Sequence, residues 1–304
     1  MTLLPAHLIL VVAVWAATAQ AADGGIYTVV DGDVRVLRGT TWYRLVAGAR
    51  AQDGDVVDVG EHAQVQLEAA GGGTLSAQGP ALWDANGLVP PNGKAPVPVE
   101  VVVVRGWFKA SVPAARRPLR MLLPTAAVDL ADAIAVLHAD AGLVEFFVES
   151  GAARVSLPVG RGKENPARTA RAGEFWTRTG DRAFVTVGHS PSFVAAMPRQ
   201  LRDALPSLAS RFPIAPPPLA AGRDIEFAEA EPWLSGAARR VFVKRLTPRL
   251  ADPAFRAGVN AHIAAYPEWD RMLHPEKYRP KPADQTNGNA GAAAGPPGSP
   301  GSGR

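Results

Sequence analysis

The chain contains no cysteine. This absence excludes disulfides, thiolate metal sites, a cysteine nucleophile and a lipid-anchored N-terminal cysteine. The chain also lacks a strong excess of either charge, because 32 Lys and Arg residues stand against 28 Asp and Glu residues, a net charge of +4. So small an excess gives no electrostatic reason to expect a nucleic-acid partner.

Long apolar runs are scarce as well. One uninterrupted run covers Leu8–Ala17, which is shorter than the roughly 20 residues that a membrane-spanning helix needs. The small-residue pattern Ala19-Gln20-Ala21 follows it, as at a signal-peptidase site. We therefore predict a signal peptide over residues 1–21, cleaved after Ala21. A short membrane anchor and a buried strand or helix are the alternatives, and an uncleaved segment would be the expected contact with a membrane.

Glycine and proline, by contrast, are abundant, at 30 and 28 of 304 residues. This composition is typical of a turn-rich β protein with loose linkers rather than of a helical one. A chain of 304 residues can bury a sizeable core, and about two domains are expected for its length.

Between about Ile26 and Val187 the apolar residues alternate with polar ones, as in Ala63–Glu68, and this period of two predicts strands. The β-branched run Val99–Val104 predicts a strand covered on both faces. Asp-Gly pairs between apolar runs predict tight turns. The sequence thus predicts a mainly β fold, an antiparallel roll or sandwich of stacked short strands. Further predicted strands cover Gly106–Val112, Leu143–Val148, Arg154–Leu157 and Phe184–Val187.

The pattern over residues 26–187 resembles the FecR domain family. The resemblance rests on a Gly-x-Val strand start, a Gly-Asp turn, a Val-x-Leu strand and a later Gly-x-Phe-x-x-x-Val strand. The residues that carry it are Gly32, Val34, Trp42, Leu45, Gly48, Gly54, Asp55, Val65, Leu67, Leu75, Gly79, Val101–Gly106, Phe108, Val112 and Pro124–Val128.

The resemblance implies a β-rich, exported domain of binding or scaffold type, located in the periplasm. Well-known members of the family sense an outer-membrane transporter and control a sigma factor through a cytoplasmic N-terminal segment. Here seven residues precede the apolar run, and Ala131–Ile134 replaces the Gly-Thr of the family pattern. We therefore expect a stand-alone FecR-like protein without the sigma-regulating segment.

After Gly188 the pattern changes. Pro198–Leu205 predicts a short helix, Phe212–Pro218 a stiff extended linker, and Asp224–Tyr278 a helical segment. The expected organisation is a signal peptide (1–21), a FecR-like β domain (22–190), a short helix and proline-rich linker (191–222), a helical segment (223–278) and a disordered tail (279–304).

Within the helical segment, the spacing predicts that Val241, Phe242 and Leu246 point inward and that Pro248 ends their helix. Asp252-Pro253 predicts an N-cap with proline at the first helical position, opening a helix with Phe255, Val259 and Ile263 on one face. Trp233 and Trp269 are expected to be core anchors. A solvated helix face is favoured over an anionic-lipid or glycan surface for the basic set Arg239, Arg240, Lys244, Arg245 and Arg249.

Each candidate catalytic or ligand-binding motif is better explained by a structural role. Gly188–Ser192 (Gly-His-Ser-Pro-Ser) lacks the glycine that a nucleophile elbow needs, and Gly87–Lys94 lacks the spacing of a phosphate loop. The remaining candidates, namely two acidic turns, a His-Asp pair, two strand carboxylates and six dispersed histidines, are Asp31, Asp33, Asp53, Asp55, His138, Asp140, Glu145, Glu149, His7, His62, His189, His262 and His274.

No catalytic, cofactor-binding or metal-binding residue is therefore assigned, and no cofactor is expected. The aspartates of the acidic turns are expected to stabilise those turns by hydrogen bonds to the backbone rather than to bind calcium. Glu145 and Glu149 are expected to lie on a solvated strand face. The favoured function is a non-enzymatic binding or scaffold protein of the bacterial envelope, with an envelope protein or peptidoglycan as partner. A periplasmic component of sigma-factor or transporter regulation is the alternative, followed by a glycan-processing enzyme.

Overall fold

The computed structural model describes residues 24–89, 97–140, 142–159, 163–164, 166–180, 182–235 and 239–278. The predicted signal peptide and the predicted disordered tail lie outside the described residues, as do Pro90–Lys94 of the phosphate-loop candidate.

The described part of the chain is mainly β, with a small helical segment at its C-terminal end, and this confirms the predicted fold class. Its strands are β1 (Gly25–Asp31), β2 (Val34–Arg38), β3 (Thr41–Arg44), β4 (Asp55–Val59), β5 (Gln64–Ala69), β6 (Thr74–Asn86), β7 (Val99–Val112), β8 (Leu119–Leu122), β9 (Ala127–Asp140), β10 (Leu143–Ser156), β11 (Pro158–Val159), β12 (Lys163–Glu164), β13 (Arg168–Arg171), β14 (Glu174–Thr179), β15 (Arg182–Val187) and β16 (Ala220–Asp224).

Fourteen of these strands form one sheet, and β11 and β12 form a separate ribbon. The order along the sheet is β15-β14-β10-β9-β8-β7-β6-β4-β2-β3-β16, with β1 joined through β5 to β6 and with β13 beside β10. The pairs are antiparallel, except that β7 and β8 run parallel. The strong bias toward antiparallel pairs follows from hairpin connections, which do not need crossover helices.

Four strands are longer than the predicted short ribbons. β6, β7, β9 and β10 each contain 13 or 14 residues. The runs Val99–Val104 and Gly106–Val112 are one strand, because Gly106 adopts a φ of +124° and lets β7 pass Ala81 closely without ending. One face of Val99–Val104 is buried and the other is half-buried, so full coverage of both faces was a wrong expectation.

The strand register places apolar side chains of neighbouring strands directly opposite one another, and these side chains form the core. A row of directly opposed side chains crosses the sheet from β1 to β15, and its middle members are fully buried. Such cross-strand contacts are the unit of sheet stabilisation. The row consists of Val30, Val65, Ala77, Phe108, Leu137, Phe146, Trp176 and Val185.

A short helix covers part of the opposite face. Helix α1 (Pro191–Ala196) begins after Ser190, whose hydroxyl accepts from the amide of Phe193. Phe193 of this helix packs against the sheet, together with Met197 and Leu201, which lie after the helix. The helix predicted at Pro198–Leu205 is instead a 3-10 turn at Arg199–Leu201, and Pro198 caps its start.

The proline-rich segment does not separate the sheet from the C-terminal part of the chain. After Phe212–Pro218 the chain adds β16 to the edge of the sheet beside β3. The next elements are helices α2 (Phe227–Ser235), α3 (Arg239–Leu246), α4 (Pro253–Ala261) and α5 (Pro267–Leu273). The chain forms two compact units that divide after Gly258 rather than within the predicted linker.

The helices largely keep the predicted caps. Asp252 accepts from the amides of Ala254 and Phe255 at the start of α4, and Pro248 lies in the 3-10 turn that follows α3. The inward face of α3 differs from the prediction, because Val243 is buried whereas Val241 is exposed.

Both tryptophans expected to be core anchors are buried, and Trp233 stacks on Phe242 with 4.8 Å between ring centroids. None of the helices in the described ranges combines the length and the apolar character that crossing a bilayer requires.

Candidate functional site

Glu145 and His138 face each other across the β9–β10 ladder, with 3.3 Å between Oε2 and Nδ1. The His138 ring stacks on Trp107 of β7, with centroids 4.3 Å apart, and Phe193 of α1 lies 5.0 Å from the same indole. His138 is therefore partnered by Glu145, and Asp140 lies exposed at the end of β9. The pair is thus linked to α1 through the Trp107 indole, which contacts both His138 and Phe193.

Glu149 lies further along the same strand and binds a buried cation. Its Oε2 is 2.8 Å from Nζ of Lys109, whose side chain is 2% exposed. The same ammonium donates to the carbonyl of Leu201 at 3.2 Å. The expected solvated face is thus a partly covered polar layer, in which each carboxylate already has a basic partner. This arrangement fastens the α1 segment to the sheet.

The Gly-His-Ser-Pro-Ser motif begins α1. Ser190 caps the helix, and its hydroxyl lies 2.8 Å from that of Ser192. The ring of His189 meets Phe147 edge-on, with centroids 6.2 Å apart. These contacts give the motif a capping role, in line with the expected structural turn.

The two acidic turns differ in burial. Asp31 and Asp33 are exposed on either side of Gly32, whereas Asp55 is buried at the start of β4. Asp55 accepts from the Tyr27 hydroxyl at 3.1 Å and from Nε and Nη2 of Arg38 at 2.9 Å each. Burial, and then the negative charge of Asp55, raise the pKa of Tyr27 well above its ordinary value. Asp55 is therefore an internal support for β1, β2 and β4.

A second buried carboxylate, Asp84 of β6, accepts from the Asn86 amide at 3.1 Å and from the backbone amide of Val102 at 3.3 Å. Burial raises its pKa to about 6. Asp53 holds a neighbouring loop, because its Oδ1 accepts from the amide of Leu88.

These acids do not converge. Among the described residues, no three His, Asp or Glu side chains come close enough to hold a metal ion. His62 and Glu61 are both largely exposed.

Two of the five basic residues predicted to lie on a solvated helix face bind the protein itself. Arg245 donates to three carbonyls, those of Leu37, Gly39 and Gly54, at 2.6–2.8 Å. Arg249 pairs with Asp224 and Asp252. The expectation is wrong for these two. Arg245 of α3 satisfies carbonyls at the end of β2 and in the turns next to β2 and β4. Arg249 lies in the 3-10 turn after α3 and pairs with two carboxylates instead.

Glu229 of α2 makes a further link to the sheet. Its carboxylate accepts from the Trp42 indole at 3.2 Å and from Arg223 at 2.8 Å, and it lies 3.0 Å from the guanidinium of Arg35. These donors outweigh its desolvation and lower the pKa of Glu229 to about 2.

The proline-rich segment is the most exposed apolar feature of the described residues. Ile214 is 93% exposed, and Pro213, Ala215, Pro216 and Pro218 around it are exposed as well. We call residues 212–218 the proline ridge. Such a continuous apolar stretch differs from the singly scattered apolar residues that ordinary protein surfaces carry.

The ridge is held at its base. Nη2 of Arg50 donates to the carbonyls of Pro213 and Ile214 at 3.2 and 2.9 Å. The ring of Phe212 packs on Gly48, where a Cβ atom would stand 2.9 Å from it and where φ is +89°. The glycine therefore makes room for the ring and permits the turn below it.

An open groove of about 450 Å³ lies beside the ridge. Pro216, Pro217 and Leu219 are among its lining residues together with Tyr43, and Arg38, Arg50 and Gln52 line it as polar groups. The sequence pattern predicts a stiff extended linker over this segment. The isoleucine among prolines is the sequence feature that could have indicated an exposed apolar surface. The hydrogen bonds from Arg50 could not have been predicted from the local sequence, because Arg50 is more than 160 residues away.

No family model matches the chain, and no curated protein matches it. Two crystal structures of a protein from Parabacteroides distasonis, described as a "putative anti-sigma factor", are similar in part. The first has 14% identity and a TM-score of 0.35, and the second 13% and 0.36. Each match covers 46% of this chain and 63% or 62% of the other, so the chain spans less than two thirds of their length.

Proposed function

We propose that the chain is an exported, non-enzymatic FecR-like protein of the bacterial envelope that binds a protein partner through the proline ridge. The single observation that carries this proposal is the 93% exposure of Ile214 on a backbone fixed by Arg50. The resemblance of residues 26–187 to the FecR domain and the predicted signal peptide support the location.

A fixed ridge suits binding for a thermodynamic reason. Proline restricts φ, and the two hydrogen bonds from Arg50 hold the carbonyls of Pro213 and Ile214. A partner therefore does not need to order the segment when it binds, and the entropy loss on association is smaller.

The composition of the surface favours a protein over a glycan as partner. The proline ridge, with the exposed Ile214 on it, borders a groove whose polar lining residues are Arg38, Arg50 and Gln52, and Arg50 also donates to the carbonyl of Ile214. This pairing of an apolar centre with a polar rim is typical of protein interfaces. The contacts of Glu145 with His138 and of Glu149 with Lys109 support a structural role for these acids, because each carboxylate already has a side-chain partner.

The test is recovery of a partner from envelope extracts by the mature chain, residues 22–304. We expect one envelope protein to be recovered by the wild type and lost with Ile214→Asp, which puts a charge at the apolar tip. Val241→Asp is the matched control, since Val241 is also exposed, at 63%, but lies on α3.

Recovery that is equal for both variants, or no recovery, contradicts the proposal. Cosedimentation of the chain with purified peptidoglycan, unchanged by Ile214→Asp, would replace the protein partner by a glycan. Peptidoglycan zymography with Glu145→Gln and Glu149→Gln is expected to show no hydrolysis by the wild type, and hydrolysis lost in these variants would overturn the non-enzymatic proposal.

The alternative, a signalling component of sigma-factor or transporter regulation, rests on the sequence resemblance to the FecR domain. It predicts that deletion of the gene changes transcription from the promoters of one sigma factor, and that Ile214→Asp has the same effect as deletion. Unchanged transcription in both strains would remove this alternative and leave the envelope-binding proposal intact.

A further inference from the structure

β15 ends the sheet at one edge, and among the described strands it pairs with β14 alone. From Ala183 to Val187 it contains no charge, proline or glycine. Natural proteins usually protect such edges with charges, prolines or bulges, because free backbone groups invite another strand. β15 has none of these devices along this stretch, and its register with β14 is regular.

The buried row of the core continues into this edge. Val185 lies directly opposite Trp176, which is buried and stacks on Phe146 with 5.2 Å between centroids. Val185 itself is 47% exposed. An added strand with an apolar residue opposite Val185 would cover this valine and extend the row by one member.

The other end of the sheet is protected. β16 is exposed, but its register with β3 is broken between Ala221 and Asp224, and Gly222 and Arg223 lie within the break. A β15–β16 contact between copies would also repeat without closing and give a filament. These features disfavour head-to-tail pairing.

β15 is complementary to itself. In an antiparallel pair centred on Val185, each Val185 lies opposite the same residue of the other copy, and position 183 lies opposite position 187. Arg182, the charged residue of the strand, then lies opposite Gly188, so no like charges meet. A second copy is therefore the occupant that the edge itself specifies.

We propose that two copies of the chain associate through antiparallel β15–β15 pairing, with the Val185 residues on the two-fold axis. The two sheets then form one continuous sheet with a shared apolar row. A six-residue strand pair buries less than the roughly 1,200 Å² of a standard stable interface. A monomer–dimer equilibrium that shifts with concentration is therefore expected.

The test uses the absence of native cysteine. Val185→Cys and Ala183→Cys introduce single thiols on the same face of the same strand, and both positions are exposed. In the proposed register the β-carbons of the two copies at position 185 lie about 5 Å apart, as for directly opposed residues. The two 183 positions lie about 14 Å apart along the strand, beyond the reach of a disulfide.

We expect a covalent dimer to form with Val185→Cys under mild oxidation and to be at least tenfold slower with Ala183→Cys. Sedimentation velocity of the wild type should show a dimer fraction that rises with concentration. Val185→Arg should abolish this fraction, whereas Val241→Arg, which changes an exposed valine on α3, should not. A wild type that stays monomeric, equal crosslinking at both positions, or a dimer that persists in Val185→Arg would overturn the proposal.

Discussion

Individual buried polar side chains are expected to have large effects on the free energy of unfolding. Asp84 is 3% exposed and has two hydrogen-bond donors, yet burial raises its pKa to about 6. The folded state therefore holds the proton more tightly than the unfolded state, where the pKa is near 3.8. The resulting stabilisation is complete below the unfolded value and is lost as the pH rises through about 6.

This gives a prediction for Asp84→Asn, which removes the buried charge and keeps an acceptor oxygen. At about pH 7 the variant should be more stable than the wild type by about 1–2 kcal/mol. At about pH 4 the difference should vanish, because Asp84 is then protonated in the folded state. Urea unfolding at the two pH values measures both differences. A variant that is destabilised equally at both would show that the Asp84 charge is not the cause.

Arg245 illustrates the opposite case, a charged group whose hydrogen bonds stabilise the folded state. Replacing it by Ala leaves the carbonyls of Leu37, Gly39 and Gly54 without their donor. We expect Arg245→Ala to cost about 2 kcal/mol. Lys244→Ala, one position away and exposed, should cost less than about 0.5 kcal/mol. Chemical denaturation of the two variants makes the comparison, and equal losses would place Arg245 on the solvated face after all.

At the scale of elements, the long β9–β10 hairpin depends on one bulge. Gly151 adopts a φ of +72° within β10, and a Cβ atom there would overlap the carbonyl oxygen of Asp132 on β9. Asp132 itself has a φ of +51° and lies in the Ala131–Ile134 stretch that departs from the FecR pattern. The bulge shifts the register twice between these strands and bends the hairpin.

We predict that Gly151→Ala lowers the free energy of unfolding by about 3 kcal/mol, through backbone strain and the overlap. Gly142→Ala is the matched control. Gly142 also has a positive φ, +90°, but nothing lies within 4 Å of the added Cβ, so its cost should be nearer 1 kcal/mol. Thermal unfolding followed by circular dichroism separates the two, and similar losses would argue that strain alone limits both sites.

At the scale of the whole molecule, the sheet needs the part of the chain beyond the proline ridge. β16 pairs with β3, and Glu229 binds Trp42 and Arg35. A chain ending at Pro218 should therefore melt more than about 10 °C below the full chain, whereas removal of residues 279–304 should change the melting temperature by less than about 2 °C. Differential scanning calorimetry tests this, and an unchanged melting point in the shorter chain would make residues after the ridge independent of the sheet.

Much of this architecture could be predicted because it is local. Alternating polarity indicated β5, the Asp-Gly pairs indicated turns at positive-φ glycines 32 and 54, and Asp252-Pro253 indicated the cap of α4. The start of α1 could have been predicted too, since Ser190-Pro191 has the same form. The partners of Glu145 and Lys109 could not, because they depend on which strands lie side by side.

The mainly β character, several turns and the cap of α4 could be predicted from local patterns, and the absence of cysteine excluded thiol chemistry. Backbone preferences and missing side chains act within a few residues. Three features follow only from the fold. Arg245 binds carbonyls up to 208 positions away, Arg50 holds the proline ridge, and Val185 lies on the last strand of the sheet, which pairs with β14 alone among the described strands. These outcomes depend on register and on packing between distant segments, and chain periodicity carries no information about either.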